Sequence, residues 1–468
     1  MTQQTYDIVV IGAGPVGENV AQYAMADSGL TAVLVEGELI GGECSYYACM
    51  PSKALLRPLE VAATAADLAP LPAPAVDPAA LLAHRDTWVS NYDDTGQLEW
   101  ATSVGIDVVR GHGRLVADRT VAVATAEGER VLQARRAVIL ATGSEPTVPD
   151  VYADVRPWGS RDATGVVDVP GRTVIIGGGV VACEAATWLN GLGSEVIMVV
   201  RGDRLLPSCE PFAAEAVRQS LVESGVDVRL HTDVHDCHRD DPADTGLGRI
   251  HGGPVTLETS DGELSADEVL VATGRHPRLG DAGLEAVGLT TADIVEDRLP
   301  DWLLAVGDAS GDAPLTHWGK YRARVVGDRL AAEAAGRDPA PVPEVVPVPQ
   351  VVFTDPQVAT VGETEESAQA TLADVVTARV PFGGAAGAAL LRDHVAGEAQ
   401  LVVDRRTGTL VGATFCGPEA AELVHAATVA IVGRVPVHVL RHAVPSYPTA
   451  AELWLRLLEE LPVELRHG

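Results

Sequence analysis

The chain opens on a short continuous apolar run, Tyr6 to Ile11 (YDIVVI). A glycine-rich turn follows, then a segment of helical spacing from Pro15 to Ser28, a stop at Gly29 and a second apolar run, TAVLVE. Runs this short and without polar alternation suit strands buried on both faces, and strand, helix, strand in this order predicts a βαβ unit. The same succession returns from Arg172 to Arg201 as RTVIIGGG, the helical VVACEAATWLNGLG and then SEVIMVV. Two such units predict two dinucleotide sites. Each is echoed by a later apolar run ending in Ala-Thr-Gly, AVILATGSEP at 137–146 and EVLVATGRHP at 268–277, which read as the strands closing each unit.

Between Val61 and Pro78 lies an Ala/Pro-rich stretch, and Asp338 to Pro349 (DPAPVPEVVPVP) reads as a Pro-rich connector. Beyond it, VVFTDPQVATVG, AQLVVDRRTGTLVGATF and a helical run from Pro418 to Gly433 predict a third domain of strands backed by helices. The expected class is therefore α/β, with two Rossmann-like domains and a C-terminal α+β domain. A length of 468 residues accommodates two or three such cores.

Composition narrows the partners. A formal charge of -31 would repel nucleic acid and anionic lipid, so neither is expected to bind. No run of about 18 uncharged apolar residues occurs and the N-terminus runs straight into a strand, so no membrane span, no signal peptide and a cytoplasmic location are expected. Only two lysines occur, Lys53 and Lys320, in a chain whose other basic side chains, histidine aside, are all arginine. A compact ammonium kept at two places suggests a need for a point charge there. Of six cysteines, four (Cys183, Cys209, Cys237, Cys416) are scattered and two are close, which is no secreted disulfide framework.

The first fingerprint is Gly12-x-Gly14-x-x-Gly17, with Glu36 ending the second strand where a ribose diol would be bound. Its plainer alternative is a tight glycine turn without a ligand. In the second, Gly177-x-Gly179-x-x-Ala182, the terminal acid is replaced by Arg201, with Arg204 close behind. Guanidinium groups bind a 2'-phosphate that a carboxylate would repel, so NADPH is favoured over NADH, unless both arginines are merely solvated turn residues.

Cys44 and Cys49 stand at i and i+5 in GGECSYYACMPSK. On an ideal helix that spacing holds the sulfurs too far apart to bridge, so a redox pair here requires a distorted turn. Gly41, Gly42 and Pro51 permit one. A thiolate at a helix start would also be stabilised by backbone N–H groups. The alternative is two buried small apolar residues.

With GAGPVG and Glu36, GGECSYYACMPSK, ATGS, GGGVVACE, ATGR, LLAVGDAS and VVFTDPQVATVG in this order, nearly the whole chain resembles the class I flavoprotein disulfide reductases, the pyridine nucleotide-disulfide oxidoreductases. The resemblance implies a homodimer with FAD on the first unit and NAD(P)H on the second. It implies an FAD domain of residues 1–150 and 276–343, an NAD(P) domain of 151–275, and a dimerisation domain of 344–468. Cys49 would be the sulfur next to the flavin, Cys44 the sulfur that exchanges with substrate, and Lys53 and Glu184 a pair beside flavin N5. Asp308 would hold the ribityl chain, and Leu315, Thr316 and His317 would start a helix facing the flavin. Gly42, Gly113, Thr142, Gly143 and Gly274 complete the expected cofactor contacts, and no metal site is expected.

One motif departs from the family. Thiol-reducing members carry His-Pro-Thr-x-x-Glu, whose histidine serves the partner subunit as acid and base, whereas this chain reads Tyr447-Pro448-Thr449-Ala450-Ala451-Glu452. A phenol, titrating near about 10, makes a poor base at neutral pH. Tyrosine here resembles mercuric reductase and soluble transhydrogenase. The former, however, has a C-terminal Cys-Cys pair where this chain ends ELRHG, and the latter lacks the second cysteine that this chain has as Cys49. His442 and His317 are the other candidate bases. The expected function is transfer of electrons from NADPH through FAD and the cysteine pair to a small acceptor, a disulfide or a metal ion. The alternatives are a quinone or small-acceptor reductase, a transhydrogenase-like enzyme and a flavin-holding redox sensor.

Overall fold

The computed structural model describes residues 4–467. The chain divides into two compact units, the first formed by residues up to Pro51 with Arg85–Thr147 and Gly274–Val342, the second by Ser52–His84, Val148–Thr273 and the chain from Pro343 onward.

In the first unit the opening strand, Gln4–Ile11, lies between Ala32–Glu36 and Gly128–Leu140, both parallel to it. Asp107–Arg110 extends the sheet beyond Ala32–Glu36, and Leu303–Ala305 runs parallel to the end of Gly128–Leu140. Ile8, Val9, Val10, Val33 and Leu34 are fully buried, which explains why these strands read as unbroken apolar runs: both faces are covered. The start of Gly128–Leu140 instead pairs antiparallel with Thr120–Thr125, itself paired with His112–Ala117. The helix after the first strand is Pro15–Met25, a turn shorter than its pattern. Asp27 and Gly29 take positive φ, and the Ser28 hydroxyl donates to the Ala24 carbonyl, 2.6 Å away.

Two short segments, Ser144–Pro146 and Arg275–Pro277, pair antiparallel in the same unit, with Arg275 opposite Pro146 and Pro277 opposite Ser144. The Thr147 N–H donates to the Gly274 carbonyl at 2.9 Å.

The second unit holds a parallel sheet in the order Asp227–Arg229, Glu195–Val199, Arg172–Ile176, Glu268–Val271, so the second ATG run does close the second βαβ unit. Val234–Arg239, Val255–Thr259 and Gly262–Ala266 form an antiparallel sheet. The C-terminal part is a five-stranded antiparallel sheet: Gln350–Val352, Gln357–Gly362, Thr409–Gly417, Glu398–Asp404, Val375–Pro381. Helix Ala420–Val432 backs it, and helix Glu452–Glu460 buries Leu453, Trp454, Leu457 and Leu458 against it, a stripe at helical spacing. The α/β class with a C-terminal α+β part is as the sequence predicts. Helix Cys49–Ala66 runs into the Ala/Pro-rich stretch, where alanines favour helix and the first proline after Val61 is Pro70.

Candidate active site

The two fingerprints fold alike. Gly12 and Gly177 take φ of +105° and +124°, and a Cβ on either would stand 2.2 or 2.5 Å from the carbonyl oxygen of Ala141 or Ala272. Each first glycine is thus pressed against the alanine of its own Ala-Thr-Gly run, which is why those runs echo the fingerprints. A Cβ at Gly17 would lie 2.0 Å from the Gly12 carbonyl, whereas Ala182 is accommodated, fully buried, in the second unit.

Gly14 and Gly179 each start a helix with no side chain capping it, so backbone donors at both helix starts are left to a ligand or water. Glu36 accepts from the Ala13 N–H at 2.7 Å and the Glu38 N–H at 2.8 Å, one on each oxygen. These bonds fix the carboxylate while leaving lone pairs for a diol.

The rest of the expected flavin cradle converges in the first unit. A Cβ on Gly42 would meet Gly14 Cα at 2.7 Å, and the Gly41 N–H donates to the Ala13 carbonyl, so the cysteine loop lies against the glycine turn. Asp308 accepts from the Ser144 hydroxyl at 2.6 Å, and Arg275 donates to Ser144 and to Glu43. Thr142 donates to the Arg278 carbonyl, while Gly143 and Gly274, both at positive φ, face open space. An uncapped helix start, an anchored acid and unfilled space at two glycines suit a dinucleotide such as FAD. Gly113 lies in the strand His112–Ala117, where a Cβ would stand 2.8 Å from the Val35 side chain.

The distortion required of the cysteine motif is a break between two helices. Cys44 lies in Gly42–Tyr46, Cys49 begins Cys49–Ala66, and Tyr47 leaves helical geometry at φ −130°. Both cysteines are half-buried, and their side chains share a hydrogen bond. That bond, then burial, pushes the Cys44 thiol well above its ordinary range; the helix start belongs to Cys49. Cys49 Sγ lies 3.3 Å from the hydroxyl of Thr316, first residue of helix Thr316–Ala334, with Leu315 as its N-cap. His317 follows, exposed.

In the second unit Lys53 Nζ lies 2.8 Å from Glu184 Oε2 and 4.7 Å from the centre of the Phe353 ring. The other Glu184 oxygen accepts from the Phe353 N–H at 2.9 Å. Glu184 is only 4% exposed, and a buried carboxylate is tolerated only when paired and hydrogen-bonded, which Lys53 and Phe353 accomplish together. Arg201 is exposed beyond strand Glu195–Val199, and Arg204 donates to the Pro207 carbonyl. Tyr447 is 77% exposed and Val444 88%, while Glu452 is buried and accepts from the Gly387 N–H. A Cβ at Gly387 would collide with the Thr449 backbone at 2.2 Å, so Gly387 seats the loop that presents Tyr447. His442 is also exposed.

Sequence reasoning missed Ser144, Arg275 and Phe353. Ser144 and Arg275 are the residues directly after the two Ala-Thr-Gly runs, so the position was visible but the partnership was not. Among the described residues no helix is long and apolar enough to cross a membrane, and no cluster of three potential metal ligands occurs.

Residues 6–316 match the family described as pyridine nucleotide-disulphide oxidoreductase, and residues 348–457 match its dimerisation domain. The chain is 33% identical over 472 residues to a dihydrolipoyl dehydrogenase of Haloferax volcanii, covering 97% of this chain and 95% of that one. To a mercuric reductase of Staphylococcus aureus it is 29% identical over 456 residues, covering 96% and 81%. Among solved structures, the Cu(II) complex of RclA, an HOCl-induced flavoprotein disulfide reductase of Escherichia coli, shares the fold with a TM-score of 0.82 at 22% identity, over 98% of this chain and 99% of that one. LpdA of Mycobacterium tuberculosis shares it equally, with a TM-score of 0.82 at 23% identity and the same coverage. Nucleotide turns, dithiol and matched domains lead to one conclusion: the chain belongs to the pyridine nucleotide-disulphide oxidoreductase family, enzymes that use FAD and NAD(P)H.

Proposed function

We propose that the protein is an NADPH-dependent reductase that delivers electrons through the Cys44 and Cys49 dithiol to a small disulfide or metal-ion acceptor. The observation that carries this reading is the dithiol itself: two thiols from separate helices joined by one hydrogen bond, with Thr316 on the second sulfur. FAD, when bound, supplies the two-electron relay between nicotinamide and dithiol. Gly12, Gly14, Gly17, Glu36, Gly42, Gly113, Thr142, Gly143, Gly274, Asp308 and the start of helix Thr316–Ala334 would hold it. Gly177, Gly179, Ala182, Arg201 and Arg204 would hold the nicotinamide nucleotide. Lys53, fixed by Glu184, supplies positive charge at the flavin, Cys44 meets the acceptor, and Cys49 closes the disulfide. The domains follow as 1–150 with 276–343, 151–275 and 344–468. The last makes a homodimer in which Tyr447 and Glu452 serve the neighbouring subunit.

Anaerobic reduction with one equivalent of NADPH tests this directly. A long-wavelength charge-transfer band is expected, from Cys49 thiolate against oxidised flavin. A fully two-electron-reduced sample without that band overturns the dithiol assignment. Turnover should also favour NADPH over NADH. Replacing Arg201 and Arg204 together by Ala should raise the KM for NADPH by about tenfold, the worth of one charge-assisted contact, and leave that for NADH unchanged. A wild-type preference for NADH would refute the role of both arginines.

Tyr447 favours one second reading, reduction of quinones or other acceptors that need no protonated leaving group. A screen of disulfides, mercuric ion and quinones with the NADPH-reduced protein distinguishes the two. Failure to turn over any of them would leave a redox sensor.

A further inference from the structure

Ser90, Asn91 and Tyr92 take φ of +51°, +51° and +60°, three consecutive left-handed residues that all carry a Cβ. Such backbone is unfavourable for L side chains and ordinarily occurs at single residues, so a run of three persists only where contacts around it hold it in place. Those contacts lie on the cysteine loop, within the first unit. The Tyr92 ring stacks on the Tyr47 ring, with centroids 5.7 Å apart and planes 29° from parallel. The Tyr46 hydroxyl donates to the Asp93 carbonyl at 3.4 Å. Asp94 accepts from the Ile40 N–H at 2.7 Å, and Arg110 grips both oxygens of its carboxylate, at 2.6 and 2.8 Å.

Three residues in succession thus meet the loop that carries the dithiol. Tyr47, the one held by a ring, is the residue that leaves helical geometry between the helix containing Cys44 and the helix that begins at Cys49. Tyr46, buried, flanks it with a centroid separation of 6.2 Å. The Tyr92 hydroxyl is buried without a hydrogen-bond partner, so its ring makes the contact and its oxygen adds nothing to it.

We propose that Tyr92 is a positioning residue for the redox pair: stacked on Tyr47, it holds the break between the two helices in the shape that brings Cys44 and Cys49 together, and so sets how strongly the disulfide is favoured over the dithiol. The inference rests on the assignment of Cys44 and Cys49 as that pair. On oxidation two S–H bonds break, one S–S bond forms, and two electrons and two protons leave. The balance of that step depends on the effective concentration of one sulfur at the other. A break held in one shape keeps that concentration high. A Tyr47 released from its stack lets the helices join, and on a continuous helix the i and i+5 sulfurs lie too far apart to bridge.

The test equilibrates holoprotein anaerobically in mixtures of reduced and oxidised dithiothreitol, in which the protein disulfide becomes the dithiol as one dithiothreitol closes to its ring disulfide. The reduced fraction of Cys44 and Cys49 is read by acid quench, alkylation and peptide mass spectrometry. In Tyr92→Leu, half-reduction should need about a tenfold smaller ratio of reduced to oxidised dithiothreitol, a potential about 30 mV less negative. Tyr92→Phe, which keeps the ring, should titrate as wild type. Tyr47→Leu should reproduce the shift of Tyr92→Leu, and the double variant should shift no further than either, because all three lose the same contact. Should Tyr92→Leu fail to hold FAD, Tyr47→Leu decides between the same outcomes. A leucine variant with the wild-type midpoint, a Tyr92→Phe midpoint shifted as far as that of Tyr92→Leu, or additive shifts in the double variant overturns the proposal, while a normal charge-transfer band in the wild-type protein keeps the redox pair intact. A wild-type protein in which Cys44 and Cys49 do not titrate together removes both.

Discussion

Replacing Cys44 by serine is expected to lower turnover of any disulfide acceptor by about 10³-fold or more, because the sulfur that must form the mixed disulfide is gone and a hydroxyl is no substitute nucleophile. Little else should change. Serine is close in volume, Cys44 is only half-buried, and Cys49 keeps its contact with Thr316. The charge-transfer band, which depends on Cys49, should therefore persist and even form more readily, since Cys49 no longer has a disulfide partner. Stopped-flow turnover with a disulfide and the absorbance of the reduced variant are measured together. A disulfide turned over by Cys44→Ser at the wild-type rate would show that this acceptor bypasses the dithiol.

The second large effect runs in the opposite direction. Tyr447→His should raise reduction of glutathione or lipoamide disulfide by about 10²-fold, the low end of what a positioned general acid contributes. Tyr447 is exposed within one protomer, so the change opens no cavity, and stability should stay within about 0.5 kcal/mol of wild type. Glu452 is already anchored through the Gly387 N–H on a loop seated by Gly387 itself, which leaves an ordered carboxylate to orient an imidazole. Steady-state kcat with each disulfide decides the matter. Wild-type turnover of about 10 per second or more with either disulfide would mean that the phenol is no handicap.

Much of this architecture was legible because parallel strands buried on both faces announce themselves as short apolar runs, and because the glycine turns admit so few residues. The pairing of Gly12 with Ala141, and of Gly177 with Ala272, even explains why the Ala-Thr-Gly runs repeat. The cysteine motif was readable in identity but not in shape. The spacing demanded a distortion, but only the backbone at Tyr47 shows that two helices meet there. Phe353 escaped because its part is played by a backbone N–H, which any residue but proline carries. Gly113 marks a close approach as well, to the Val35 side chain.

The short pairing of Ser144–Pro146 with Arg275–Pro277 marks where the chain departs from the first unit and where it comes back, and the Thr147 to Gly274 hydrogen bond makes those two points neighbours. The stretch between them is tied into the second unit along its length, as Glu184 is to Lys53 and to the Phe353 N–H. A change of length within that stretch leaves the sheet register of the first unit untouched, because the ladder closes before the chain leaves and resumes only after it returns. An exchange of that stretch must therefore match its packing partners in Ser52–His84 and in the chain from Pro343 as well as the two adjacent ends.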